Sequence, residues 1–422
     1  MAVKSSCTSV IAAMFVLCIA IRTNLSARGE DWPQWRGPRG NGTWNGPNIA
    51  SNWPAEGLPV VWQRQVGGGY AGVIVAGGRV FVADRQTEPE EVERLIALDA
   101  ASGAVQWTHA WPVRYGTLDY GNGPRAAPTV FDGRVYVLGA LGHVHCLDAE
   151  AGDVQWSKDY FGGDLKQLPE WGLAASPVIW NDLVIVHPGA KHDGCLVALD
   201  RRTGEEVWRS SADPAGYATP AVIAAPSGPQ LVAWTPAHVL GLSLDSGRIF
   251  WRVPYKVTYG VSIATPIFDR AIVFVTGYWE GSKAIRLGPK AEDASLIWED
   301  NRDLRGLMSQ PLYRDGHVYS LDKQYGLTCF ELETGKKLWD DGNKMTPRGR
   351  NPQATMVWIG DEDRAIVLNS DGELILARFN PAGYQEETRT KIIEATWAHP
   401  AYAGDCVYAR NDTTLVCLRL AP

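Results

Sequence analysis

An eleven-residue motif recurs five times along this 422-residue chain, and it constrains the fold more than any other feature. Residues 97–107 read AlaLeuAspAlaAlaSerGlyAlaValGlnTrp, and residues 146–156 read CysLeuAspAlaGluAlaGlyAspValGlnTrp. Residues 198–208 and 329–339 follow the same plan, and residues 241–251 are a looser copy. The first position is always small, as Ala97, Cys146, Ala198, Gly241 and Cys329 show. The seventh is always glycine (Gly103, Gly152, Gly204, Gly247, Gly335), and the eleventh always tryptophan (Trp107, Trp156, Trp208, Trp251, Trp339). Repetition at a period of roughly 40–50 residues signals a propeller or a solenoid.

The chemistry of the unit gives its local structure. An alternating apolar run, ArgLeuIleAlaLeu at 94–98, reads as a strand. Asp99 opens a polar turn, where its carboxylate can bond backbone amides, and Gly103 supplies the positive φ that the turn requires. The next strand reaches Trp107, which makes a hairpin. The small first residue leaves room for an indole to lie against the backbone, so these tryptophans read as structural packing rather than as a binding face.

A second recurring piece precedes each hairpin. AlaProThrValPheAspGlyArgValTyrValLeu from Ala127 shows it best, and related runs begin at Ser176, Thr219, Thr265 and Gln310. Each is a small or polar residue, proline, a short strand, a turn and a second strand, with proline placed where no ladder donor is lost. Each unit therefore holds about four antiparallel strands, the content of a propeller blade. Unit starts fall near Ala71, Ala127, Ser176, Thr219, Thr265, Gln310, Gln353 and His399, which predicts eight blades in an all-β chain. Outer-strand tryptophans stand at Trp62, Trp107, Trp156, Trp208, Trp251, Trp298 and Trp339, with residues 391–394 in the equivalent slot of the seventh blade. The last unit has three strands and no terminal tryptophan, while residues 60–66 are an outer strand with no blade before it. That strand is expected to complete the eighth blade beside residues 415–420, which leaves no open sheet edge.

This pattern resembles the pyrroloquinoline-quinone (PQQ)-type repeat, whose tryptophan-docking motif has a small residue, Gly and Trp at the same three positions. The likeness spans residues 31–420 and implies an eight-bladed propeller in which each tryptophan stacks on a neighbouring blade's motif. Quinoprotein dehydrogenases and a lipoprotein scaffold of outer-membrane protein assembly share that architecture. The run AspTrpProGlnTrpArgGlyProArgGlyAsnGly at 31–42 also resembles the leader of many secreted bacterial members.

Residues 1–27 read as a signal peptide, residues 28–58 as a leader rich in Trp, Gly and Pro, and residues 59–422 as the propeller. Lys4 gives the signal its positive start, and its apolar run of twelve (10–21) is too short to span a bilayer. LeuSerAla at 25–27 offers a cleavage site, with CysIleAla at 18–20 as second choice. Cys18 follows Leu17 where a lipid anchor requires a small residue, so the product is expected to be exported and soluble, periplasmic or extracellular, with no membrane span. The formal charge of −7 becomes −9 once Lys4 and Arg22 leave with the signal. That balance argues against nucleic acid or an anionic membrane as partner.

Five cysteines follow the signal. Cys146, Cys329 and Cys417 take the small slot of the repeat, where a thiol packs as a small hydrophobe. Cys406 and Cys417 lie on adjacent strands and could stand opposite one another as an oxidised pair; an odd count, with Cys195 the fifth, leaves at least one thiol without an internal partner. In the leader, Trp32, Trp35, Trp44 and Trp53 are expected to pack across the side or base of the disk, with a sugar-binding platform as the alternative.

Long or polar loops at 108–126, 157–175, 255–264 and 340–352 run from an outer strand to the next inner strand, and in this topology they share one face. They bring Tyr120, Arg125, Trp171, Tyr217, Tyr259, Arg305, Gln310, Asn351, Gln353, Trp397 and His399 toward the mouth of a central channel. Each taken singly also reads as an ordinary loop residue. Together they are the candidate ligand or partner site.

Catalysis by PQQ needs a cation such as Ca²⁺ held by oxygen ligands, a carboxylate base, flat stacking surfaces and cations for the quinone's carboxylates. The alcohol-oxidising relatives clamp the quinone against two adjacent cysteines, and no CysCys occurs here. GlyXxxSerXxxGly, HisGluXxxXxxHis, CysXxxXxxCys and phosphate-loop motifs are also absent. His143 with His145, and His187 with His192, are weak metal pairs. The expectation is a monomeric, non-catalytic scaffold without cofactor or metal, holding a protein partner or small molecule at one propeller face. A PQQ-dependent dehydrogenase with calcium is the alternative.

Overall fold

The computed structural model describes residues 29–420 apart from Thr117 and Arg350. The signal-peptide reading of residues 1–27 lies outside the described residues. Eight four-stranded antiparallel sheets follow one another as blades, the sequential strands of each pairing side by side. The first blade comprises Ile74–Ala76, Arg79–Gln86, Val92–Asp99 and Val105–Pro112, from channel to rim. In the eighth, Val60–Gln65 pairs antiparallel with Thr414–Arg419, Val60 facing Leu418 and Gln65 facing Thr414. The ring is closed by its own N-terminal strand. No helix among the described residues is long and apolar enough to cross a membrane.

Tryptophan docking follows from two coincident demands on glycine. Gly103, Gly152, Gly204, Gly247 and Gly335 all have φ between +67° and +78°. A Cβ at any of them would lie 2.5–3.0 Å from the indole of the preceding blade, so a side chain would strain the turn and displace the ring. The indole N–H is satisfied across the same seam. Trp62 donates to the carbonyl of Ala100, Trp156 to Arg201, Trp208 to Leu244, Trp298 to Leu332 and Trp339 to Asn380, at 2.9–3.1 Å. Trp107 reaches Ala149 at 3.4 Å.

Two positions depart from the expected pattern. Trp251 does not dock on a glycine of the next blade, because the corresponding turn of blade five, between Gly281–Leu287 and Ala294–Asp300, is longer and its one glycine, Gly288, faces Asp293 instead. Its ring lies over Gly241 of its own blade, and its N–H donates to Gln230 Oε1 at 2.9 Å. Gln230 Nε2 in turn donates to the Ala291 carbonyl at 3.3 Å, so a buried amide relays the contact to blade five. In blade seven the outer strand is Gly383–Lys391, and its bulge places Thr388 opposite Leu376. Thr388 thus fills the tryptophan slot, not residues 391–394, which begin only at the strand's last residue.

The five described cysteines are free and buried. Cys417 faces Tyr408 and Cys406 faces Arg419, so the two thiols are offset by two residues rather than opposed.

The leader crosses the base of the ring. Trp32 exchanges backbone hydrogen bonds with Val75 of blade one at 2.8 and 2.9 Å, and Pro33 accepts from Val130 of blade two at 2.8 Å. Arg36 donates to the Pro311 carbonyl beside blade six at 2.8 Å. Thr43–Trp44 then adds in parallel to the inner strand of blade seven, against Trp358 and Ile359. Trp32 and Trp44 are buried on either side of Tyr402, with ring centroids 5.5 and 5.4 Å from it.

Candidate functional site

Inner strands run from the mouth of the channel to its base, so the residues just before them form a girdle around it. There the free backbone donors of one blade are satisfied by side chains of the next. Ala127 N–H donates to Ser176 Oγ at 3.0 Å, Ser176 N–H to Thr219 Oγ1 at 2.9 Å, and Thr265 N–H to Gln310 Oε1 at 2.7 Å. Trp35 of the leader closes the lower end, with its indole N–H on Thr265 Oγ1 at 2.9 Å and its ring 4.3 Å from that of His399. The channel is therefore a blind cup of about 550 Å³. That volume is in the range of small-molecule sites, roughly 300–1,000 Å³.

Ten of the eleven residues that the sequence brings toward the mouth line this one cup. Tyr120, Arg125, Trp171 and Tyr217 come from the loops that follow blades one, two and three. Tyr259, Gln310, Asn351, Gln353 and Trp397 complete the circuit, and His399 lies below them. Arg305 does not reach it: its N–H is held by Asp322 Oδ2 at 2.8 Å, and the adjacent Gly306 bridges to Asp322, which draws that loop back onto blade six.

The loop bearing Arg125 is clamped at its foot by two carboxylates. Glu91 accepts from Tyr115 N–H at 2.9 Å and from Arg85 at 2.8 Å. Glu93, wholly buried, accepts from Trp111 Nε1 and Ala140 N–H, each at 2.9 Å, and from the Tyr115 hydroxyl. Burial pushes the Glu93 carboxyl above its usual range. At the loop's tip, Arg125 spends Nη1 and Nη2 on the carbonyls of Gly123, Asp119 and Tyr120 and sits over the Tyr70 ring at 5.6 Å. Burial lowers its pKa.

Aromatic rings make most of the wall. Tyr70, Trp397, Tyr120, Trp171 and Tyr217 form a chain with successive centroid distances of 5.9, 5.6, 6.5 and 5.6 Å. Trp171 is oriented by Asp119 Oδ2, which takes its indole N–H at 3.1 Å. Across the mouth, Tyr259 and Tyr278 flank Trp279 at 6.1 and 4.5 Å. Tyr259 is 66% exposed, Trp279 43% and Tyr120 40%, high values for such large rings. Tyr120 and Tyr259 also hold φ of +49° and +55°, left-handed values that a bulky residue adopts at a cost.

Charge in the cup is sparse. Arg125 and Glu170 are the charged side chains among the described residues of its lining. His399 is held neutral, its pKa pushed down to about 3 by burial and by Arg36 beneath it. Burial likewise moves the Tyr217 hydroxyl up to about 12. No group of three His, Cys, Asp or Glu side chains among the described residues is placed to hold a metal ion. His143 and His145 sit instead near the seam between blades one and two, where His109 Nε2 and His145 Nδ1 are 3.4 Å apart.

Sequence reasoning passed over Tyr70, Glu170, Tyr278 and Trp279, and placed Trp35 at the side or base of the disk without assigning it to the channel floor. For Tyr278 and Trp279 a signal was present: TyrTrpGlu at 278–280 fills a strand-to-strand turn where small polar residues are the rule. For the partner of Trp35 there was none, since Thr265 is 230 residues away.

Residues 53–235, 91–286 and 235–421 match the family model described as outer membrane protein assembly factor BamB. The assembly factor BamB of Moranella endobia is 22% identical over 358 residues, covering 81% of this chain and 83% of that protein. Among solved structures, BamB from Moraxella catarrhalis superposes with a TM-score of 0.59 at 16% identity, over 86% of this chain and 99% of its own. A europium-containing methanol dehydrogenase gives a TM-score of 0.68 at 12% identity, over 91% and 90%. At those identities the structural likenesses speak for the fold alone.

Proposed function

The chain belongs to the family described as outer membrane protein assembly factor BamB, and from that membership we propose an exported, non-catalytic propeller scaffold that binds through one face. The partner-binding face is the mouth of the cup, and the process it serves is assembly of envelope proteins, as the names of its relatives suggest. The observation that carries this reading is the chemistry of the lining. Nine aromatic rings and three side-chain amides surround one carboxylate and one guanidinium.

That donor set does not fit a calcium–quinone pair. Calcium takes six to eight oxygens with several carboxylates among them, and Glu170 is the one carboxylate of the described lining. Arg125 is the one cation of the described lining for a quinone's several carboxylates, and three of its donors are held by its own loop. The repeat's shared residues are all accounted for by the seams between blades.

The test is to purify the mature protein, add PQQ with Ca²⁺, and follow calorimetry and dye-coupled oxidation of alcohols and aldoses. The expected result is no turnover. Saturable turnover that needs both additions and is lost in Glu170→Gln would overturn the reading. In a deletion strain, steady-state levels of outer-membrane proteins should fall; unchanged levels would remove the assembly role.

A further inference from the structure

We propose that the cup takes the end of a neutral oligosaccharide. The inference rests on the reading of the mouth as a binding site rather than a catalytic one, and adds the class of ligand.

A pyranose is amphipathic in a particular way. Its C–H faces are apolar and its edges carry hydroxyls that both donate and accept. The cup offers the complement of each. The chain of rings from Tyr70 to Tyr217 covers one wall and Tyr259 with Trp279 the other, giving flat apolar faces on two sides. Between them stand Asn351 and Gln353, whose side-chain amides make no hydrogen bond among the described residues, although Gln353 uses its backbone N–H on Ser370. A side-chain amide both donates and accepts, which is what vicinal hydroxyls require. Gln310 differs: its amide is consumed by Thr265 and Ile263 in the girdle.

The remaining features narrow the choice. One cation, Arg125, and one anion, Glu170, line the cup, so the described lining carries no net charge to draw an acidic ligand, and three of the Arg125 donors are already held by its own loop. Strand addition by an extended peptide needs free backbone donors, and those of Ala127, Ser176 and Thr265, at the head of three inner strands, are already taken by the girdle. Trp35 closes the floor, so a chain enters by its end and does not thread through. The exposed rings at the rim, Tyr259 and Trp279, extend the stacking surface for the sugar units behind the first.

The experiment titrates the mature full chain with hexasaccharides of glucose in α1,4, β1,4 and β1,3 linkage and of β1,4 N-acetylglucosamine. A hexagalacturonate serves as the acidic control. Calorimetry and tryptophan fluorescence are read together. The expected result is saturable binding within the neutral series, at least ten-fold tighter than the acidic control. Trp171→Ala and Gln353→Ala should each weaken it ten-fold or more without moving the melting midpoint. Trp180→Ala, outside the cup, should leave it unchanged. Silence across the neutral series, equal binding of the acidic chain, or full binding in both cup variants would overturn the proposal. A photo-crosslinking residue at Tyr259 separates the two readings. Silent sugars with a protein crosslinked there would sink the saccharide and keep the scaffold, whereas quinone-dependent turnover would sink both.

Discussion

Gly204→Ala, set against Gly133→Ala, isolates what tryptophan docking contributes. Both glycines have left-handed backbone, with φ of +74° and +71°. Nothing lies within 4 Å of a Cβ built on Gly133, whereas one on Gly204 meets Trp156 Cδ2 at 2.7 Å. Alanine at position 133 therefore costs only the backbone term, about 1–2 kcal/mol. At position 204 overpacking against a buried ring adds about 1–3 kcal/mol. Trp156→Ala alone should cost about 3–5 kcal/mol. It orphans no acceptor, because the Arg201 carbonyl also receives the Tyr136 hydroxyl at 3.0 Å. In the double variant the added methyl finds the space the indole has left, so the combined cost should fall short of the sum by about 1–3 kcal/mol. Guanidinium unfolding followed by far-UV circular dichroism gives the midpoints, with the slope checked for constancy. If Gly204→Ala costs no more than Gly133→Ala, or the double variant is additive to within about 0.5 kcal/mol, the rings do not carry the seams and the account of the repeat fails.

Gln230→Leu should destabilise by about 1–3 kcal/mol, since it leaves the Trp251 N–H buried without its acceptor and cuts the relay to blade five; an unchanged midpoint would show that the relay is incidental. His187 and His145 are buried as neutral rings, their pKa values pushed down by burial to about 4 and about 3. The unfolded chain then binds protons that the fold does not, so stability is full above pH ~6.5 and falls as pH drops toward 4, by about 1.4 kcal/mol per unit for each ring. His187→Gln, which keeps an acceptor near the Gly216 N–H, should flatten that slope in urea midpoints at pH 7.5, 6.0 and 5.0; an unaltered slope would place the titration elsewhere. Arg36→Ala removes the leader's bonds to Pro311 and Asn41, and should expose residues 29–44 to limited proteolysis while the blades stay intact. Equal protection in both proteins would mean that Arg36 does not fasten the base.

What could be read from the chain alone follows from the range of the interactions involved. The hairpin is local: a glycine fixes the turn, and a tryptophan four residues on meets a neighbour whose position the ring itself dictates, so eight blades and their closure were legible. The mouth was legible for the same reason, since topology puts every outer-to-inner loop on one face and the polar and aromatic residues there converge. The docking of Trp251 was not, because its acceptor sits on another strand and depends on the length of a turn 40 residues later. The seventh-blade slot was misplaced because no tryptophan marks it; the register shift between Leu376 and Ala377 is what sets Thr388 there. Arg305 stayed outside because residues 305–307 pair with residues 321–323 of blade six.

The base of the channel carries the largest consequence of a contact that no local pattern announces. Residues 29–44 touch blades one, two, five, six, seven and eight, so the leader ties together most of the ring, the closing blade included. Velcro closure by Val60–Gln65 joins the rim of the eighth blade, and the leader joins its inner edge through Gly29 and Gly404. A propeller open at both ends presents two faces on which a partner can compete. Here Trp35 and the buried Arg36 fill one of them, which leaves the ring-lined mouth as the open end of the cup. Binding and stability are thereby separated along the axis: variants at the base should loosen the ring, and variants at the mouth should change what it holds.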